Sequence, residues 1–257
     1  MALAVAYEIA GPDDGPTVVL SNSVGSTRAM WDPQVPVLVE AGYRVVRYDA
    51  RGHGASPVPM GPYSMDDLAD DLLALLDTTG TERAHVVGLS LGGMTGMRFA
   101  ARHPGRIASL AVLCTSALLG PPQFWLDRAA AVRAGGTASI AEAIVTRWFT
   151  EATRAADPAL VASSVAMVSS VSGEGYAGCA EAIAAMDLRD DLSRITAPTL
   201  ALAGADDPAT PPEHLEYIAK HVPGASLVVV PDAAHLANLE RPAEVNAVLL
   251  EHLAGVR

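Results

Sequence analysis

The sequence predicts an α/β fold in which a mostly parallel central sheet is flanked by helices and interrupted by a helical lid. Short β-rich runs alternate with helical stretches through the first half, the alternation stops over residues 118–190, and it then resumes to the end. Strand–helix alternation implies parallel strands joined by right-handed crossovers. An all-helical block between two strands implies an insertion over the carboxyl edge of the sheet. The predicted division is therefore a core of residues 1–117 and 191–257 and a lid of residues 118–190.

The elements follow in order. Thr17–Leu20 and Arg44–Tyr48 are near-continuous β-branched or aromatic runs, the pattern of strands covered on both faces. Ser64–Thr78 reads as a helix, with Ser64 as N-cap, Asp66 and Asp67 in the first turn, and Met65, Leu68, Leu72, Leu75 and Leu76 at helical spacing. Ala84–Leu89 is a strand, Leu91–His103 a helix stopped by Pro104-Gly105, and Ile107–Cys114 a strand. The lid is Ala-rich and carries Trp125, Trp148 and five Arg, with helix breaks expected at Gly135-Gly136, Asp157-Pro158 and Gly173–Gly178. Thr199–Ala203 and Ser226–Val230 are strands, and Pro211–His221 and Pro242–Leu253 helices.

Composition narrows the function classes. In 257 residues half are apolar and 18% are charged, enough to bury a core and unlike a disordered chain. Two cysteines exclude a disulfide scaffold, lack zinc-ligand spacing and point to a reducing, cytoplasmic setting. Residues 1–14 do not read as a signal peptide, and the longest apolar run, Ile107–Leu119, is too short to span a bilayer. A net charge of −12 argues against nucleic acid and anionic membranes as partners. An anionic small molecule would need a local cation, and with sixteen Arg against the single Lys220 that cation is an Arg.

One motif carries chemistry. Gly88-Leu89-Ser90-Leu91-Gly92 follows a predicted strand and opens a predicted helix, the context of a G-x-S-x-G nucleophile elbow. The turn is so sharp that the residues two before and two after the serine approach each other, and both must lack side chains. The new helix presents its free N–H groups at the serine, so Leu91 N–H can bind an oxyanion. A serine nucleophile needs a base and a group to orient the base. In the chain order serine, acid, histidine, the later strand ends offer Asp206 or Asp207 after Thr199–Ala203 and His235 after Ser226–Val230, with Asp232 a weaker acid. His53, inside Arg51-Gly52-His53-Gly54, reads as a turn residue. The loop Ser21–Ser26 follows the first core strand, and Ser23 or Val24 can give the second oxyanion N–H.

With these residues in view the chain resembles the α/β-hydrolase superfamily, and within it the β-ketoadipate enol-lactone hydrolases. The likeness rests on Ser-Asn-Ser-Val-Gly-Ser at 21–26, Met30-Trp31-Asp32, Asp49–Ser56, Gly88–Met94, Arg147-Trp148-Phe149, Gly175-Tyr176, Asp187-Leu188-Arg189, Gly204–Pro211 and Ala234–Glu240, nearly the whole chain. The Ser-Asn-Ser loop is its most specific part, because most superfamily members carry His-Gly where this chain has Asn22-Ser23. The resemblance maps the family acid, three residues after Gly204, onto Asp207, giving Ser90, Asp207 and His235 as the catalytic set. It implies an enol-lactone substrate with an acetate arm, opened through an acyl-enzyme without metal or organic cofactor. The expected holders of the arm are Arg128 or Arg133 near Trp125, with Trp148 beside them and Arg147, Arg154 and Arg189 as further lid cations. A general esterase, a carbon–carbon bond hydrolase or a perhydrolase on the same fold are the alternatives, and a non-catalytic receptor is a more distant one. An Asp-nucleophile dehalogenase is disfavoured by serine at position 90. The sequence leaves oligomeric state open.

Overall fold

The computed structural model describes residues 2–256. Its seven strands are β1 (Tyr7–Ala10), β2 (Thr17–Ser21), β3 (Arg44–Tyr48), β4 (Ala84–Leu89), β5 (Ile107–Leu113), β6 (Thr199–Gly204) and β7 (Ser226–Val230). They form one sheet in the order β1-β3-β2-β4-β5-β6-β7. Only β1 runs antiparallel, against β3. The strand order changes direction between β2 and β4, where Ser21 lies opposite Gly88. At such a switch point the loops leaving neighbouring strands diverge and open a crevice at their carboxyl ends. The crevice here lies between the Ser23–Val24 loop and Ser90.

Burial accounts for the plainest strand signals, although β7, exposed at three of its five residues, also reads as an apolar run. β2, β4 and β6 are buried at every residue, so they read as unbroken apolar runs. β1 is a short edge strand with Tyr7, Glu8 and Ile9 exposed, and it has no such pattern to betray it. The helices outside the β5–β6 interval are α1 (Val35–Glu40), α2 (Met65–Thr78), α3 (Leu91–Arg102), α10 (Pro212–His221), α11 (Ala237–Glu240) and α12 (Pro242–Ala254). α3 packs on β4, β5 and β2, with α2 against it. Ser64 caps α2 in a reciprocal box: its hydroxyl accepts Asp67 N–H at 3.1 Å, and the Asp67 carboxylate accepts Ser64 N–H at 3.0 Å. Such a cap stabilises a helix by about 1 kcal/mol.

Between β5 and β6 lie α4 (Pro122–Gly135), α5 (Ala141–Trp148), α6 (Glu151–Ala156), α7 (Pro158–Ser170), α8 (Gly173–Ala185) and α9 (Arg189–Leu192). α4 stops at Gly135, with Gly136 at φ 71°, and Asp157 caps α7 by accepting Leu160 N–H. The break expected at Gly173–Gly178 falls just before it, at Val171-Ser172, and all six residues lie inside α8. Close packing is the reason. A Cβ on Gly175 would sit 2.0 Å from the Gly52 carbonyl oxygen, and one on Gly178 would sit 2.6 Å from the Tyr63 ring. These glycines admit neighbours to a helix instead of ending it.

The Gly52 loop is held from its other side. Arg51 grips the buried Asp71 of α2 through two bonds of 2.7 and 2.8 Å, and its guanidinium lies 5.3 Å from the Tyr63 ring centre. No helix among the described residues is long and apolar enough to cross a membrane.

Five histidines, His53, His85, His103, His214 and His252, are held below their ordinary pKa, first because burial disfavours the imidazolium, with His85 reaching about 4. The unfolded chain therefore takes up protons at these sites near pH 6.5 while the folded chain does not, and stability falls as pH drops below that value. The unfolding midpoint is expected to fall by roughly 3 °C or more between pH 7.5 and pH 5.5, before most carboxylates titrate. Calorimetry across that range checks it, and a flat or rising midpoint contradicts it.

Candidate active site

The turn between β4 and α3 forces Ser90 to φ 55°, ψ −115°. An L-residue avoids positive φ unless its surroundings hold it there. Here they do. Ser90 N–H donates to Leu113 O at 2.9 Å, and Ser90 O accepts from Met94 N–H at 3.0 Å and from the Thr115 hydroxyl at 2.6 Å. The flanking glycines are a steric requirement. A Cβ on Gly88 would lie 2.2 Å from Gly92 O, and one on Gly92 would lie 2.1 Å from Ser21 O.

Asp207 and His235 meet behind the cavity. His235 Nδ1 and Asp207 Oδ2 are 2.8 Å apart, both side chains being buried. The remaining acceptor sites of Asp207 are filled by Ala209 N–H (2.7 Å), Thr210 N–H (3.1 Å) and the Thr210 hydroxyl (2.7 Å). Burial pushes the Asp207 carboxyl up, but the His235 charge and these hydrogen bonds outweigh it and leave it below the usual carboxylate value. An ionised Asp207 makes Nδ1 of His235 the protonated nitrogen and leaves Nε2 as the basic one. Asp206 is exposed, and the exposed Asp232 lies 3.7 Å from Arg241, so neither takes this place. Thr210 was not singled out from the sequence. Its signal was the spacing: an aspartate accepting N–H groups two and three residues ahead makes a local turn.

Ser90 and His235 line one cavity together with Ser23, Val24, Trp125, Arg128, Trp148, Arg147, Tyr176 and Thr210. Leu91, the first residue of α3, is buried beside them, and its N–H is among the four a helix start leaves unpaired. In the loop after β2, Ser23 N–H donates to Met30 Sδ at 3.4 Å, Gly25 N–H to His53 Nε2 at 3.0 Å, and Ser26 N–H to Ser23 O at 3.2 Å. Among the backbone N–H groups of residues 23–26, only that of Val24 makes no hydrogen bond within the described residues. His53, read as a turn residue, is a buried strut. Its Nδ1 pairs with Arg51 O at 3.1 Å, its Nε2 accepts from Gly25, and burial keeps the ring neutral so that it can do both.

Arg133 is a correction. It lies five residues after Arg128 on α4, about 140° further round the helix. There it bonds Glu174 at 2.8 Å and pairs with Glu181, outside the cavity. Arg154 and Arg189 are also outside: the first donates to Thr146 O and Phe149 O, and the second pairs with Asp187 at 2.6 Å. Arg128 and Arg147 do line the cavity. Arg128 stacks 4.5 Å over Phe124 and 5.2 Å over Trp125 and donates to Tyr176 OH at 3.3 Å, while Arg147 donates to Pro208 O at 2.8 Å. Among the described residues no group of three or more His, Cys, Asp or Glu side chains is arranged to hold a metal ion.

Residues 16–242 match the family described as alpha/beta hydrolase fold. The chain belongs to that family. This α/β hydrolase is 38% identical to 3-oxoadipate enol-lactonase 2 of Acinetobacter baylyi over 95% of this chain and 91% of that protein. It is 34% identical to "Putative carbamate hydrolase RutD" of Variovorax paradoxus over 97% of this chain and 96% of that one. The crystal structure of the enol-lactonase from Burkholderia xenovorans LB400 superposes with a TM-score of 0.95 at 38% identity, covering 99% of both chains. The resemblance to enol-lactonases read from the sequence is thus shown over 95% of the chain.

The elbow yields a direct test. Gly88→Ala places a methyl group against the Gly92 backbone, which cannot retreat without moving Ser90. It should destabilise the fold by on the order of 3 kcal/mol. Urea denaturation measures this, and a variant as stable as the parent would remove the steric argument.

Proposed function

We propose that this hydrolase opens a small enol-lactone carrying a carboxylate arm, by a Ser90–His235–Asp207 relay. The observation that carries the substrate reading is the pair of guanidinium groups in the Ser90 cavity. In a chain of net charge −12, Arg128 and Arg147 have no carboxylate within ion-pair distance among the described residues. Arg133, Arg154 and Arg189 are engaged elsewhere. An uncompensated cation in a partly buried cavity favours an anion, and the guanidinium fork matches a carboxylate. Trp125 adds a donor: its buried indole N–H has no hydrogen-bond partner among the described residues, and the residue lines the same wall. Trp148 supplies apolar wall beside it. The full-length likeness to enol-lactonases supports the same class.

The chemistry follows from the atoms present. Nε2 of His235 takes the Ser90 proton while Oγ attacks the lactone carbonyl. The tetrahedral oxyanion accepts the N–H groups of Leu91 and Val24. Asp207 fixes the tautomer and stabilises the imidazolium. Collapse breaks the ring C–O bond and expels an enolate, which takes the proton from His235. The enol then becomes a ketone, so the tethered oxygen loses its power to close the ring again. Water, deprotonated by His235, attacks the acyl-enzyme and releases the diacid with Ser90 restored. The residues perform each step, and none calls for a metal or an organic cofactor.

Ser90→Ala and His235→Ala should each lower kcat on β-ketoadipate enol-lactone by at least about 10^4-fold. Steady-state assays check this, and near-parental turnover in either defeats the relay. Arg128→Gln should raise KM for the anionic lactone about tenfold or more and leave 4-nitrophenyl acetate nearly unaffected, since only the former carries a charge. Equal effects on both substrates would release Arg128 from this role.

A further inference from the structure

The side-chain polar groups of Ser21, Asn22 and Ser26, in and beside the loop after β2, are all hydrogen-bonded. Ser21 Oγ is 2.7 Å from Tyr48 OH. Asn22 donates through Nδ2 to Tyr48 O at 2.8 Å and accepts at Oδ1 from Trp31 Nε1 at 2.9 Å. Ser26 Oγ donates to Ser23 O at 2.8 Å. Ser23 Oγ is the exception. It is buried in a residue only 2% exposed, and it has no hydrogen-bond partner among the described residues. Ser23 also lines the cavity that holds Ser90 and His235.

From this we infer that the Ser23 hydroxyl is a third donor to the oxyanion formed at Ser90, beside Leu91 N–H and Val24 N–H. The inference rests on the serine-nucleophile reading above and adds a side-chain donor to it. Three features support the assignment. The hydroxyl precedes the free Val24 N–H by one residue, so the two donors share a loop at the mouth of the β2–β4 crevice. The backbone of Ser23 is pinned at both ends, its N–H on Met30 Sδ and its carbonyl under the N–H and hydroxyl of Ser26, so its Cβ is fixed before substrate arrives. The arm-binding groups Trp125, Arg128 and Arg147 lie on α4 and α5, a different wall from the sheet-edge loop that carries Ser23. A hydroxyl donor gains most where negative charge is concentrated on oxygen, which is in the tetrahedral intermediate and not in the planar carbonyl. Its removal therefore acts on kcat and leaves KM in place.

The experiment compares Ser23→Ala, Ser23→Thr and Ser90→Ala on 4-nitrophenyl acetate, with phenylboronic acid as a tetrahedral probe and the unfolding midpoint as a control. Ser23→Ala removes an atom that bonds nothing in the protein, so its midpoint should stay within about 2 °C of the parent. Its kcat should fall about 10- to 100-fold with KM within about twofold, and boronate inhibition should weaken by a similar factor. Ser23→Thr, which keeps the hydroxyl, should recover most of both losses. Unchanged kcat and boronate affinity in Ser23→Ala overturn the third donor, as does a change confined to KM. Activity persisting in Ser90→Ala defeats the nucleophile reading itself, and the third donor with it. A dead Ser90→Ala beside a fully active Ser23→Ala sinks only the present inference.

Discussion

The close approach of three backbone segments around Ser90 is the constraint to which the site answers. Gly88, Gly92 and the end of β2 at Ser21 are packed so tightly that no Cβ fits between them. That contact holds a serine at positive φ and brings the Ser23–Val24 loop beside it, because the loop leaves β2 immediately after Ser21. The strain at Ser90 is offset by hydrogen bonds from Thr115 and Met94 to its carbonyl and from its own N–H to β5. The position of Ser90 and that of the neighbouring loop are thus products of one packing event. Asp207 and His235 come from the ends of β6 and β7 and need only the parallel sheet to arrive at the same edge.

Electrostatics divides the labour differently. The core side of the site is neutral or locally balanced: Asp207 is surrounded by four donors, and His53 is kept uncharged by burial. The helical side supplies the cations. Most arginines elsewhere are matched by acids, as Arg51 is by Asp71 and Arg98 by Asp66 and Asp191. Against that background, two guanidinium groups in one cavity with no carboxylate partner among the described residues form a local exception to the field of a strongly acidic chain.

Much of this was legible in the residue order. The buried strands announced themselves as apolar runs, and the elbow could be read because a turn that excludes side chains must be spelled with glycine. His235 followed from its place after a predicted strand, whereas choosing Asp207 over Asp206 needed the family spacing. What escaped were the features that depend on a partner distant in sequence. The glycines of α8 looked like a break because nothing local reveals that Gly52 and Tyr63 press against them. Arg133 looked as eligible as Arg128 because the choice depends on which face of α4 meets Glu174 and Glu181. β1 is an exposed edge, and four residues of mixed polarity carry no period. The His53 strut was invisible because its partner Gly25 is distant in sequence, whereas Thr210, three residues after Asp207, had a local signal in that spacing.

The contact between Gly52 and Gly175 has a consequence for how such a chain can change over time. The two residues belong to stretches more than a hundred positions apart, yet the backbone of each occupies the space where the other's first side-chain carbon would go. Neither can acquire even a methyl group on its own, and no compensating substitution at the opposite position exists, since glycine is already the smallest. The pair is locked as a unit. Variation that reshapes α8 must leave this point untouched or abandon the seam altogether, so inherited diversity in the helical block has a fixed hinge of sequence around which it must work.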